Sequence, residues 1–395
     1  MKTIAIVGGS VAGVRSAEAL RAAGYDGRLV LVGDDVHRPY DRPPLSKGFL
    51  DGSVDEDGIG LLDPTDDDEL ALELRLGVTA SRLDAAGGRV VLADGSDVRA
   101  DGVVLATGGR ARRLPGTEGV EGVHVLRTLD DAVALRAALR DGAPRVAIVG
   151  AGFIGAEVAS TCRALGLEVT VLDGTDLPLA PALGRRIARS CVDLHAAHGT
   201  SLQVGAAVAG LATVPSGEGR RVVGVELGDG STVKADIVVV GIGIVPNTEW
   251  LEGSGVALDR GVRTDTGLVT DLPTVVAVGD VARWSDGAEA RTHRHEHWTS
   301  AGEQAAVAAA NLLGGRGSAT FRPSGYVWSE QYGRMLQLAG HPSVDDEVEI
   351  VDGDVADGRF VARYTDGSGT TTGIFGMGNP RMFGRFRRTE LRRPA

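Results

Sequence analysis

Two runs in the chain have the residue types and spacing to hold a phosphate. Gly8-Gly9-Ser10-Val11-Ala12-Gly13 follows the apolar run Thr3–Val7 and opens the helical spacing of residues 12–23. Gly150-Ala151-Gly152-Phe153-Ile154-Gly155 follows the apolar run 145–149 and opens a second helical stretch, 153–165. Glycines so placed permit a tight turn and close backbone approach to a pyrophosphate, which then sits at a helix N-terminus. The second run is unbroken; in the first, Ser10 stands where the middle glycine usually does. An acid closes the strand that follows each helix: Asp34 or Asp35 after Arg28–Val32, and Asp173 after 168–172. Such an acid binds ribose hydroxyls.

Two such fingerprints imply two dinucleotides, and FAD with NADH is the usual pair. Gly174, Thr175, Asp176 and Leu177 follow Asp173 with no cation among them. A carboxylate there repels a 2′-phosphate, which favours NADH over NADPH. The alternative is an arginine distant in sequence, such as Arg163 or Arg185, folding over that phosphate. Three further glycine turns each follow an apolar run: Ala106-Thr107-Gly108-Gly109, Gly241-Ile242-Gly243-Ile244-Val245-Pro246-Asn247 and Ala277-Val278-Gly279-Asp280. Asp280 is suited to accept hydrogen bonds from a flavin's ribityl chain. Each alone is an ordinary turn, but their order relative to the fingerprints makes the set specific.

These turns need strands and helices to carry them. The chain alternates the two, and its two β-α-β openings lie about 140 residues apart, as in two nucleotide-binding domains of similar design. Short strands are expected at Arg89–Leu92, 103–106, 222–227, Ile237–Val240 and 275–278, with a helix at 300–313. Gly314-Gly315-Arg316-Gly317-Ser318 reads as a linker, and short strands beyond it point to a small α+β domain. The acidic stretch 51–68 reads as a surface loop.

Composition narrows the classes. The 395 residues carry a net charge of −12, which argues against general nucleic-acid binding. No apolar run is long enough to span a bilayer, and MKTIAIVGG begins directly as a strand, so a cytoplasmic protein is expected. The 58 glycines have no three-residue period. Cys162 and Cys191 are too few for a disulfide framework or zinc site and too far apart for a C-x-x-C pair, so both read as small buried hydrophobes. His293, His295 and His297 alternate, and on a strand would share a face, a pattern that hints at metal.

Three motifs carry a resemblance: Pro39-Tyr40-Asp41-Arg42-Pro43-Pro44-Leu45-Ser46-Lys47, Arg294-His295-Glu296-His297-Trp298, and Tyr326-Val327-Trp328-Ser329-Glu330-Gln331-Tyr332. Through them the chain, over essentially its whole length, resembles the FAD-dependent NAD(P)H:ferredoxin reductases that serve bacterial oxygenases. Gly325, Val327 and Glu330 depart from that family's Pro, Phe and Asp. The resemblance implies an α/β fold with two Rossmann-like (β-α-β) dinucleotide-binding domains of the glutathione-reductase type and a C-terminal α+β domain. The expected division is a discontinuous FAD domain at 1–111 and 235–316, an NAD domain at 112–234 and a C-terminal domain at 317–395.

It also implies roles. Gly8, Ser10, Ala12, Gly13, Asp34 and Asp35 belong to the FAD fingerprint, and Arg42 binds near the FAD pyrophosphate. Ala80 (through its backbone), Arg112 and Arg127 line the adenine and phosphate side. Asp280, with His297 or Trp298, holds ribityl and ring; Thr107, Gly108 and Gly279 bind cofactor from the strand-end turns, and Trp328 packs near the ring. Gly150, Gly152, Phe153, Ile154, Gly155, Glu157, Asp173, Gly241, Ile242 and Glu296 line the nicotinamide nucleotide. Lys47 lies beside the flavin's reactive edge, paired with Glu157. A flavin-wall segment occupies the histidine stretch, which sets metal aside.

Physical chemistry supports the pair. A reduced flavin carries negative charge that a nearby cation stabilises, and a buried lysine needs a carboxylate. Only Lys2, Lys47 and Lys234 are lysines. The competing reading makes Lys47 a surface cation beside a proline turn. Disulfide reductases of this fold need a redox cysteine pair, and related oxidases a single cysteine in the early loop, where this chain has Ser46. An external acceptor is therefore expected: hydride from NADH to flavin, then single electrons to an iron–sulfur ferredoxin feeding a haem mono-oxygenase or Rieske oxygenase. The rivals are an NADH oxidase using oxygen or another acceptor, and an NADH-responsive flavoprotein that switches partner binding. A monomer or weak homodimer is expected, with no nucleic-acid or membrane partner. Arg381, Arg385, Arg387, Arg388, Arg392 and Arg393 form either a solvated tail or a docking patch for an acidic ferredoxin.

Overall fold

The computed structural model describes residues 1–285 and 292–391. In chain order its principal elements begin with β1 (Thr3–Val7), α1 (Val11–Ala22), β2 (Arg28–Val32), β3 (Leu72–Arg75), β4 (Gly102–Leu105) and β5 (Val123–Val125). There follow β6 (Val146–Val149), α2 (Phe153–Ala164), β7 (Val169–Asp173), α3 (Ala180–Ala197), β8 (Ser201–Val204), β9 (Ile237–Val240), β10 (Val275–Ala277) and α4 (Trp298–Gly314). The chain ends in β11 (Val327–Gln331), β12 (Arg334–Gly340), β13 (Glu347–Asp354), β14 (Arg359–Thr365), β15 (Thr371–Met377) and α5 (Pro380–Glu390).

Two compact units result. The first comprises Met1–Asp41, Glu56–Arg110 and Ile244–Pro323. Its sheet is wholly parallel, in the order β10-β4-β1-β2-β3. Strands buried on both faces read as unbroken apolar runs, and Ile4, Ala5 and Ile6 are fully buried. One face packs against α1 and α4 through Val14, Ala17, Leu20, Ala301, Ala308 and Leu312. The other packs against Leu83, Val90, Leu92 and Val98 of a small antiparallel sheet.

The second unit comprises Arg42–Asp55, Ala111–Gly243 and Ser324–Ala395. It repeats the design, with a parallel sheet in the order β5-β9-β6-β7-β8. The segment 324–391 adds an antiparallel sheet, β11-β12-β15-β14-β13. One face of that sheet packs Phe360, Tyr364, Phe375 and Met377 against Leu183, Ile187, Cys191 and Leu194 of α3. The other covers Phe383 of α5.

Several expectations change. β9, placed by the sequence reading in the FAD domain from 235, is an inner strand of the second sheet, bonded to β5 and β6. The stretch 51–68 is not plain loop: Asp57–Ile59 forms a 3-10 turn and Pro64–Leu70 a helix. The basic tail is the amphipathic helix α5, while Arg392 and Arg393 lie outside the described residues. Helix α3 lies where the sequence reading assigns no element, and it contains Pro181 and Gly184. The helix accommodates both, with Pro181 in its first turn and Gly184 at a kink with φ 69°. Among the described residues no helix is long and apolar enough to cross a membrane.

One contact sets where β11 lies. Tyr332 and Gly333, both with positive φ (51° and 68°), form the turn between β11 and β12. A tyrosine in left-handed backbone is strained, and its side chain is correspondingly tied down. Its hydroxyl meets His195 Nδ1 at 2.8 Å and Thr200 Oγ1 at 2.9 Å, its ring stacks on His198, and its N–H donates to Ser160 Oγ at 2.7 Å. Burial, with His198 adding to it, pushes the His195 imidazole down to about 4. The unfolded chain binds that proton near pH 6.5, so acid favours unfolding through this window. We expect urea-unfolding stability to fall as pH drops from 6.5 to about 4, with a contribution of about 3 kcal/mol from His195. His195→Asn should flatten that part of the profile; a variant with the wild-type slope would show that the group is not held neutral.

Candidate functional site

The first glycine run is a strand-to-helix turn built with no room for side chains. Gly8 has φ 127°, and a Cβ there would lie 2.1 Å from Ala106 O; one at Gly13 would lie 1.9 Å from Gly8 O. Gly279 closes over the same place: its Cβ would meet that of Ala12 at 2.9 Å, and its N–H donates to Gln304 Oε1 at 2.7 Å. Ser10 is the N-cap of α1 with extended backbone and makes no side-chain cap bond. Its φ of −119° explains why a serine is tolerated there: the position needs no glycine conformation. Thr107 and Gly108 are braced by Asn247, which accepts from Thr107 Oγ1 through its carbonyl at 2.9 Å and donates to Thr107 O at 3.1 Å. Asp34 is exposed. Asp35 instead shapes its loop, accepting from Tyr40 Oη at 2.7 Å and His37 N–H at 3.1 Å.

The second run repeats this crossing in its own unit. A Cβ on Gly150 would lie 2.3 Å from Gly241 O, and one on Gly155 would lie 2.0 Å from Gly150 O. Gly152 caps α2 with φ −71°, no side-chain cap bond and open space where a Cβ would stand. Asp173 ties the strand end to the turn: Oδ2 accepts from Ala151 N–H at 2.8 Å, while Oδ1 accepts from Thr175 N–H and Oγ1. Oδ2, with one donor, keeps acceptor capacity for a ribose hydroxyl. Arg163 donates to the carbonyls of Leu167 and His198, and Arg185 pairs with Asp176 at 3.1 Å. Phe153 packs against the α3 cluster, and Ile154 is 48% exposed at the helix mouth. Both cradles thus present uncapped helix N–H groups over a backbone crossing stripped of Cβ atoms, which is the arrangement a dinucleotide pyrophosphate needs.

The second unit also holds the ion pair. Glu157, on the second turn of α2, is 3% exposed. Lys47 Nζ donates to its Oε2 at 2.6 Å and to Pro43 O at 2.9 Å, and sits 5.2 Å from the centre of the Trp328 ring. Two hydroxyls complete the shell: Ser46 Oγ donates to Oε2 and Ser329 Oγ to Oε1, each at 2.6 Å. Sequence reasoning reached Lys47, Glu157 and Trp328 through the resemblance. Ser46 and Ser329 stand inside the motifs that carry the resemblance, but neither was given a role toward Glu157. A serine's type alone does not announce a carboxylate partner; the partners lie 111 and 172 residues away.

The remaining candidates are dispersed. Trp298 Nε1 donates to Asp41 Oδ1 at 2.6 Å in the first unit, and burial lifts the Asp41 carboxyl above its ordinary range. Asp280 lies near His297, which burial pushes below the usual imidazole range. Glu296 pairs with Arg294 at 2.7 Å in the first unit, whereas Glu157, Asp173, Gly241 and Ile242 belong to the second. Ala80 is buried at the start of its strand; Arg112 is exposed, its N–H bonded to Gly243 O. Arg127 donates its N–H to Asp131, and Arg42 opens the turn that carries Lys47. His293, His295 and His297 do not share a strand face: strand ends at His293, and the His293 and His295 rings pack on Trp284. Among the described residues no group of three His, Cys, Asp or Glu could hold a metal. Cys162 and Cys191 are buried, with thiols pushed up to about 12 by burial.

Comparison with known proteins gives a consistent result. The model of the pyridine nucleotide-disulphide oxidoreductase family matches residues 2–305, and a reductase C-terminal model matches 326–393. Rhodocoxin reductase of Rhodococcus erythropolis is 36% identical over 91% of this chain and 82% of its own length. The anthranilate 1,2-dioxygenase system ferredoxin--NAD(+) reductase component of Burkholderia cepacia is 37% identical over 97% of this chain and 92% of its own. Putidaredoxin reductase, in the crystal structure of its covalent complex with putidaredoxin, superposes with a TM-score of 0.90 at 31% identity, covering 98% of this chain and 92% of that one.

The geometry separates the two kinds of glycine. Gly152→Ser should keep NAD+ affinity within about fivefold in equilibrium dialysis, as Ser10 occupies the matching place. Gly155→Ala should lose at least about a hundredfold. Equal loss in both would show that the crossing, as described, is not what makes the cradle.

Proposed function

The chain belongs to the pyridine nucleotide-disulphide oxidoreductase family, and we propose that within it the protein is a ferredoxin reductase, passing electrons from NADH through FAD to an iron–sulfur ferredoxin. Its cofactors are FAD and NAD(H). The chemistry supplied by bound FAD is exchange between a two-electron donor and a one-electron acceptor. The first cradle, with Gly8, Ser10, Ala12, Gly13, Gly108 and Gly279, would hold the FAD pyrophosphate at the α1 N-terminus. Asp34 would take the ribose while Asp35 keeps the loop in shape. The second cradle would hold NADH, with Asp173 on the adenosine ribose. That carboxylate, and the engagement of Arg163 with main-chain carbonyls, support NADH over NADPH.

The observation that carries the reading is the Lys47–Glu157 pair in its hydroxyl shell. A cation held in place by a buried carboxylate is suited to favour the reduced, negatively charged flavin. Ser46 occupies the place beside it, and both cysteines of the chain are buried with thiols raised to about 12. A thiol so raised is inert at neutral pH, so electrons leave for an external acceptor. Arg381, Arg385 and Arg388 are exposed at helical spacing on α5, a basic face on a chain of net charge −12. Such a face suits an acidic ferredoxin.

Stopped-flow reduction by NADH, followed by cytochrome c reduction with and without ferredoxin at low salt, tests the function. Ferredoxin should raise electron delivery at least about tenfold; equal rates would mean the acceptor is oxygen or another molecule. A long-lived reduced complex with little turnover would favour the partner-switching rival. Reversing charge at Arg381, Arg385 and Arg388 together should lower ferredoxin-dependent turnover about tenfold at low salt, less at high salt, and leave reduction by NADH unchanged. A salt-independent loss would sink the docking role.

A further inference from the structure

The carboxylate of Glu157 accepts three side-chain donors in a nearly dry site. Among the described residues, Lys47 Nζ and Ser46 Oγ share Oε2, and Ser329 Oγ alone serves Oε1. Neither serine is there by chance of packing. Thr161 Oγ1, one turn along α2 from Glu157, donates to Ser46 O at 2.7 Å and pins the loop to the same helix. Gln331 Nε2 donates to Ser329 Oγ at 3.1 Å. A hydroxyl has one proton; with a carboxylate as its acceptor, that proton goes to Glu157, and the amide must present its NH2 rather than its oxygen. Ser329 and Gln331 are both fully buried on β11, whose end is anchored by Tyr332. The polar chain Gln331–Ser329–Glu157–Lys47 therefore runs from the C-terminal sheet to the ammonium.

We propose that Ser46 and Ser329 are positioning residues. They fix the plane of the Glu157 carboxylate, so that Oε2 faces Lys47, and through Ser329 the C-terminal sheet sets where the ammonium stands. This inference rests on Lys47 serving the flavin, as proposed above. Without Ser329, Oε1 is left buried with no donor among the described residues, and the carboxylate turns to find one. Lys47 then loses its aligned partner, its remaining bonds to Pro43 O at 2.9 Å and Ser46 Oγ at 3.3 Å hold it less firmly, and its charge is no longer kept at one place.

Three lysines make the test direct. Wild type, Ser329→Ala, Ser46→Ala and Ser329→Thr, each checked for an unchanged circular-dichroism spectrum, are acylated briefly with N-hydroxysuccinimide acetate and mapped by mass spectrometry. Lys2 and Lys234 serve as internal references. The midpoint potential of the bound flavin is measured on the same preparations. We expect Lys47 to react about tenfold faster in either alanine variant, the potential to move to more negative values, and Ser329→Thr to restore both. Should Ser329→Ala not fold, Ser46→Ala carries the test from the other oxygen. Unchanged Lys47 reactivity in the alanine variants overturns the proposal. Raised reactivity with an unchanged potential upholds the positioning and overturns instead the assignment of Lys47 to the flavin.

Discussion

A carboxylate at 3% exposure cannot stand alone, and much of the second unit can be read as the answer to Glu157. Burying a charge without a partner is costly, and removing one partner of a buried pair typically costs about 3–5 kcal/mol. Here the 42–55 segment supplies Lys47 and Ser46, α2 supplies Glu157 itself, and β11 supplies Ser329. Three stretches far apart in sequence must arrive together for the site to be satisfied. This gives a physical reason why 42–55 and the C-terminal sheet belong to the same compact unit as the second cradle.

The two cradles show the same constraint solved twice. In each, the N–H of the first glycine bonds the end of the next strand: Gly8 to Val32 O at 2.7 Å, Gly150 to Leu172 O at 2.8 Å. In each, the residue after the neighbouring strand crosses so closely that no Cβ fits. Parallel strands place these turns at their carboxyl ends, beside the N-terminus of the following helix, where phosphate charge is favoured. The middle position is different, since Ser10 and Gly152 both have negative φ. The departure of the first fingerprint from the usual pattern is thus conformationally neutral.

The parts legible in the sequence were those with local patterns. The apolar runs of β1, β2, β6 and β9 announce doubly buried strands, and the glycine spacing announces both turns. Helix α3 carries no glycine fingerprint, and its apolar residues Leu183, Ile187, Cys191 and Leu194, though at helical spacing, follow Pro181 and flank the non-helical Gly184, so the sequence reading assigns it no element. The alternation of His293, His295 and His297 was local too, yet misleading: packing on Trp284 overrides strand geometry. The two serines around Glu157 stand in motifs that carry the resemblance, yet their role was not legible, for the opposite reason. Its donors are common residues whose meaning comes only from partners more than 100 positions away.

The central claim is that Lys47, held by Glu157, is the cation that serves the flavin. A crystal structure of the protein with FAD and NAD+ bound tests it most directly. The account predicts Lys47 Nζ within about 3–4 Å of the ring's reactive edge while still bonded to Glu157 Oε2. An ammonium turned to solvent, or a ring bound beyond its reach with the pair intact, would contradict it.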